Sequence, residues 1–283
     1  MTGRSLEPLL PIHTAELFPG LHAELITLLR GLDDEDWARP TVAGAWRVRD
    51  VAAHLLDGDL RRLSADRDAH RLPPDGPVAS FGDIVQLIDR ANASGVAYAQ
   101  RLSPRLITDL LEVTGRWVSD YFATLPPHGE ALYSVAWAGE ERSENWMDIG
   151  REYTERWHHQ MQIRDAVDAP SVLLRWNWLR PLLHLSVRAL PRAYADVDAP
   201  EGTAITFHVQ DTDSFSVVRT SSGWQVFHGF AHDAAALLRV GHDMAWRLLY
   251  NGLPPDVVRR LSEVVEGDRA LAEPLVRARS VMV

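Results

Sequence analysis

The spacing of apolar residues changes once along this chain, and that change limits the fold more than any other feature. Up to about residue 194, apolar side chains recur three and four positions apart, the repeat of one face of a helix. Beyond "DVDAPEGT" (196–203), the segments "AITFHVQ", "SFSVVRT" and "WQVFHG" alternate at period two, with Gly, Ser and Asp between them. A repeat of 3.6 and a repeat of 2 cannot share one element, so helices come first and an antiparallel meander follows. That order predicts an α+β chain with a helical-bundle domain over 1–195 and a smaller α+β domain over 196–283.

The helical part resolves into segments. Helix is expected over 13–32, with Pro19 marking an early break, then a loop at "GLDDEDWARPTVAGAW" (31–46). Further helices are expected over 47–67, over 81–102 after the proline-rich "RLPPDGPVAS", and from Pro104 to about 125, where proline suits a first turn. "PPHGEALYSVAWAGEERSEN" (126–145) reads as a long connection with some extended structure. Helix resumes over 146–167 and 172–194. In the second part "AAALLRVG" (234–241) reads as a fourth strand, followed by short helices around a further strand at "SEVVEG" (262–267).

Charge and composition exclude several functions. The formal net charge is -10, which repels phosphate backbones and anionic lipid heads, so no nucleic-acid partner is expected. No segment reaches the roughly 18 uninterrupted apolar residues of a membrane span, and none opens the chain, so the expected location is cytoplasmic. The chain has no cysteine. Disulfides, thiolate metal sites and a cysteine nucleophile are all excluded by that one count.

Metal chemistry built from nitrogen and oxygen ligands remains open. In "EYTERWHHQMQIRD" (152–165), Glu155 and His159 stand four apart on a helix and share a face, as the two donors of a chelating arm do. A Glu-x-x-His arm through His158 is also a bundle geometry, so spacing alone does not choose between the adjacent histidines. His54, at the border of the apolar stripe of its own helix, is the candidate third ligand. Three N and O ligands leave open coordination positions, as in catalytic zinc sites, and nickel or iron also accepts such donors. Glu and His at this spacing also arise on ordinary solvated helices. Asp57 is a candidate acceptor behind His54, and Arg151, Arg156 and Arg164 flank the arm as candidate anion contacts. His184 is a spare ligand candidate in a core-like stretch; His208, His228, His232 and His242 show no chelating helical spacing and stay outside the site.

The stretch "LDDEDWARPTVAGAWRVRDVAAHLLDGDLRRL" resembles the opening of the mycothiol-dependent maleylpyruvate isomerase family, part of the DinB-like superfamily, through its Trp-x-Val-Arg-Asp-Val-x-x-His-Leu pattern. "EYTERWHHQMQIRDAV" and "RVGHDMAWRLLYNGLPPDVVRRLSEVVEGDRALAEPLVRARSVMV" are similar to later parts of the same family, so the resemblance covers nearly the whole chain. It implies a DinB-like four-helix metal-binding bundle, a sterol-carrier-like α+β second domain, and His54, Glu155 and His159 as ligands of a divalent metal, usually zinc. It further implies mycothiol as the low-molecular-weight thiol cofactor or co-substrate and an electrophilic small molecule as partner, in an isomerase or S-transferase reaction. The alternatives are a non-catalytic protein that binds metal or a hydrophobic ligand, and a metal hydrolase that needs no thiol.

Overall fold

The computed structural model describes residues 6–73, 76, 79–169, 172–250, 253–263 and 265–280. Four residues of the proline-rich loop, 74, 75, 77 and 78, lie outside these, as does residue 264 of "SEVVEG". The chain is α+β and divides into two compact units.

One unit holds residues 13–132 and 144–173. Its helices are α1 (Phe18–Arg30), α2 (Asp34–Ala38), α3 (Val48–Arg62), α4 (Phe81–Ala99), α5 (Pro104–Thr124) and α6 (Asn145–Ala166). Helix α1 begins at Phe18, after a 3-10 turn, with Pro19 in its first turn. Pro19 therefore opens a helix rather than breaking one that starts at residue 13, because its missing N–H falls among donors that have no intrahelical acceptor anyway. The expected loop at 31–46 contains α2, held by a capping box in which Asp33 accepts from the Asp36 N–H and Asp36 from the Asp33 N–H. Ser103 caps α5 in the same way, accepting from the Leu106 N–H at 3.2 Å just before Pro104.

Helices α1, α3, α5 and α6 form a four-helix bundle: α1 and α3 each pack on both α5 and α6, and α4 lies on α3. Leu25, Leu29, Val51, Leu55, Leu111 and Ile163 meet in its core. Each such fully buried aliphatic side chain contributes about 1.5–3 kcal/mol. Gly95 of α4 sits so close over Asp57 of α3 that a Cβ there would collide with the carboxyl group. Helix α6 is unusual in being buried on nearly every side, polar residues included: Asp148, Arg156, His158, His159, Gln160 and Arg164 are all below one-tenth exposed.

The other unit holds the described residues up to 12, 133–143 and those between 174 and 280. It contains β1 (Glu7–Pro8), α7 (Trp176–Ser186), α8 (Leu190–Ala193), β2 (Ala204–Val209), β3 (Ser214–Thr220), β4 (Gly223–His228), β5 (Ala236–Val240), α9 (His242–Leu249), α10 (Pro255–Glu263), β6 (Glu266–Gly267) and α11 (Arg269–Arg277). The sheet order is β1-β4-β3-β2-β5-β6. Strands β2, β3 and β4 form the antiparallel meander read from the sequence, and β5 adds to β2 in parallel. Helix α7 packs on α9, and α8 on β4 and α11. Inside this unit the Ser186 and Tyr250 hydroxyls share a hydrogen bond of 2.6 Å. The helices between residues 176 and 193 thus group with the sheet, and the expected boundary after residue 195 falls inside this unit. Among the described residues no helix is long and apolar enough to cross a membrane.

Candidate metal centre

Helices α3 and α6 lie side by side, and each brings polar groups to the seam. His54 comes from α3; Glu155 and His159 come from successive turns of α6. One ligand atom from each of the three lies within 4.8 Å of the other two. His159 Nε2 stands 3.3 Å from Glu155 Oε2, and the His54 and His159 rings meet edge to face with centroids 4.6 Å apart. The Glu155 side chain keeps 32% of its surface exposed, so the group is open on one side.

The protonation states suit a cation. Burial, reinforced by the neighbouring His159, pushes His54 down to about 3, against the opposing pull of Glu155. At neutral pH His54 is a neutral imidazole with a lone pair. Burial opposes the charge on Glu155, yet the hydrogen bond from His159 outweighs it and holds the carboxyl well below its usual range. His159 Nδ1 donates to Gln162 Oε1 at 2.8 Å, which turns Nε2 toward the carboxylate. Between that nitrogen and the anionic oxygen a metal ion can take the place of the hydrogen-bonding proton. An outer acceptor that fixes the tautomer of an imidazole is the usual companion of a metal-binding histidine. Two imidazoles and one carboxylate so disposed fit a divalent cation of the zinc, nickel or iron type.

The adjacent histidine has another task. His158 Nδ1 donates to the Thr154 carbonyl one turn back at 2.9 Å, and its ring lies against that of His159 with centroids 4.0 Å apart. Burial, with His159 next to it, pushes His158 down to about 3, so it adds bulk beside the cluster and no charge.

The other sequence candidates are occupied elsewhere. Asp57 pairs with Arg61 at 2.8 Å, and the buried Nδ1 of His54 meets no hydrogen-bond partner. Arg151 donates to Asp148 at 2.7 Å, Arg156 to Asp59, and Arg164 reaches Glu24 at 3.3 Å. His184 lies in the other unit, in a second gathering with Asp213 and His228.

Sequence reasoning missed the clamps that set the two helices in register. Arg62 of α3 donates to Asp148 of α6 at 2.7 and 3.1 Å and to Glu152 at 2.8 Å. In the opposite sense, Arg156 of α6 donates to Asp59 of α3, which also accepts from Thr114 at 2.9 Å. Two buried cross-helix pairs, five and eight residues along α3 from His54, leave little freedom to slide one helix past the other. The one local signal was an arginine at 62 and carboxylates at 148 and 152 within otherwise helical segments, which sequence alone cannot pair.

The family described as "Mycothiol maleylpyruvate isomerase N-terminal domain" matches residues 18–164. Among solved structures, "Crystal structure of the mycothiol-dependent maleylpyruvate isomerase" is similar to this chain at 13% identity and a TM-score of 0.51, covering 83% of this chain and 86% of that one. A histidine-to-alanine mutant of a mycothiol-dependent maleylpyruvate isomerase, at 12% identity and over the same shares of both chains, has a TM-score of 0.46. A search of curated proteins finds no match.

Proposed function

This chain belongs to the mycothiol maleylpyruvate isomerase family through its N-terminal domain, and from that premise we propose that it is a metal-dependent enzyme that uses a low-molecular-weight thiol, mycothiol, to attack an electrophilic small molecule. The observation that carries the reading is the convergence of His54, Glu155 and His159 within 4.8 Å, open to solvent on one side. A divalent cation bound there supplies the positive charge that stabilises a thiol ligand as thiolate at neutral pH.

The chain's own residues prepare that chemistry. His54 offers a neutral nitrogen lone pair, His159 its Nε2 and Glu155 an anionic oxygen; Gln162 holds the His159 ring with Nε2 turned toward the carboxylate. The two cross-helix clamps keep the donors preorganised, so binding requires little rearrangement. With no cysteine in the chain, the sulfur must come from outside. The reaction class is addition of that sulfur to an activated carbon–carbon double bond. In an isomerase, rotation about the resulting single bond and loss of the same sulfur return the thiol and leave the trans alkene. In an S-transferase the adduct is protonated and kept.

The test loads the protein with zinc, supplies mycothiol, and follows maleylpyruvate isomerisation and conjugation of a panel of electrophiles. Turnover that requires both zinc and thiol, and that His54→Ala abolishes, is the expected result. Activity indifferent to that substitution contradicts the reading, and turnover of amide or thioether substrates with no added thiol replaces it with a hydrolase.

A further inference from the structure

The sheet unit holds a second gathering of ligating side chains that the proposed thiol chemistry does not use. Strand register builds two sides of it. Phe215 of β3 pairs with His228 at the end of β4. Residues two apart along a strand share a face, so Asp213, just before β3, lies diagonally beside His228. His184, from α7, completes the group. Asp213 Oδ1 is 2.8 Å from His228 Nε2 and Asp213 Oδ2 is 2.9 Å from His184 Nε2.

We propose that His184, Asp213 and His228 form a second binding site for a divalent transition-metal ion of the zinc class. The donor set, two imidazole nitrogens and a carboxylate oxygen, is of the same kind as that on α3 and α6, and its ligand atoms also lie within 4.8 Å of one another. Ligands about 2.0–2.1 Å from a tetrahedral ion stand about 3.3 Å apart, so spreading the present contacts by roughly half an ångström admits the ion. A helix, a strand and the residue leading into β3 supply the donors, which fixes their geometry better than a single flexible loop would. His184 and Asp213 are only 6% and 9% exposed, while His228 is less buried and gives the ion a way in. Phe215 packs edge-on against the His184 ring at 5.0 Å and walls the group with hydrocarbon. Arg180 forms only a loose, half-exposed ion pair with Asp213, its Nε 3.7 Å from Oδ2 and beyond hydrogen-bonding length, so it can swing into solvent as a cation enters. Three protein ligands leave at least one coordination position for water or another small ligand.

The site is tested by counting zinc in the full chain after loading and dialysis. Wild-type protein is expected to keep about two equivalents per chain. His54→Ala/Glu155→Gln, which disables the α3–α6 group, is expected to keep about one, and adding His228→Gln to that background is expected to remove it. If the His54→Ala/Glu155→Gln protein retains none, or if its zinc is unaffected by His228→Gln, the three residues are a hydrogen-bonded triad only and the proposal fails. His228 is the most exposed of the three, so its replacement is the change least disturbing to folding. As a second readout needing no substitution, anomalous X-ray scattering at the zinc edge from wild-type crystals is expected to show a peak between Asp213 and the two imidazoles, and none there overturns the site. Loss of the α3–α6 site in either experiment would count against the proposed function and leave this inference standing.

Discussion

The bundle and the sheet unit each gather two histidines and one carboxylate, and they reach the same donor set by opposite routes. On α6 two of the three donors are neighbours one helical turn apart, and the third comes from a helix locked alongside by buried ion pairs. In the sheet unit no two donors are near in sequence; strand register and a packed helix bring positions 184, 213 and 228 together. Clamps across a helix seam resist sliding, whereas a register resists slipping because a one-residue shift would turn every side chain to the other face. The difference teaches that a set of donors need not be local in sequence to be well fixed, and that the bundle's set depends on polar residues outside it.

The largest effect should come from the clamp. Arg156→Leu leaves Asp59 buried without its guanidinium partner, and the bundle is expected to lose about 3–5 kcal/mol in urea unfolding. Changing both residues to leucine should restore most of that loss, because the cost lies in the orphaned charge. If the single change costs nothing, the seam is not held as described.

A smaller effect should follow from Gln162→Ala, which removes the acceptor for His159 Nδ1 while leaving all three ligands. Zinc affinity of the α3–α6 site, measured by chelator competition, should fall about 10–100-fold. The 184–213–228 group should be untouched, which separates the two regions directly.

The third effect concerns pH and appears only below neutrality. His22 is buried, and that burial, with Arg156 donating to its Nδ1 at 3.2 Å, pushes it down to about 3 from an ordinary 6.5. Between those values the unfolded chain takes up a proton that the folded bundle refuses. Stability is therefore complete above pH 6.5 and declines as pH falls toward 3, by at most about 1.4 kcal/mol per pH unit. His22→Gln should flatten that slope in metal-free protein, as followed by urea unfolding at pH 7, 5 and 4. An unchanged slope would mean that His22 is protonated in the fold.

Much of this architecture was legible because period and caps are local. The long helices and the meander follow from spacing alone; spacing offered Glu155 with either adjacent histidine and His54 as a third donor, and the family resemblance singled out His159. Helix α2 was missed because five residues are too short to show a period, although Asp33 and Asp36 spell its cap. The grouping of α7 and α8 with the sheet was illegible, since it depends on which apolar faces find each other, as in the packing of α8 on β4. Arginines 151, 156 and 164 looked like candidates for an anion because charge reads as solvated in a sequence; burial turned them into struts. Helical spacing was the wrong test for His184 and His228, whose meeting rests on Phe215 pairing with His228.

The most direct test of the account is X-ray absorption on zinc-loaded His228→Gln protein, which leaves the α3–α6 group as the remaining ligand set of the two. The account predicts one zinc per chain surrounded by two imidazole nitrogens and carboxylate oxygen at about 2.0–2.2 Å. It also predicts that added mycothiol introduces a sulfur neighbour at about 2.3 Å. A spectrum without imidazole scattering, or one that mycothiol leaves unchanged, would contradict it.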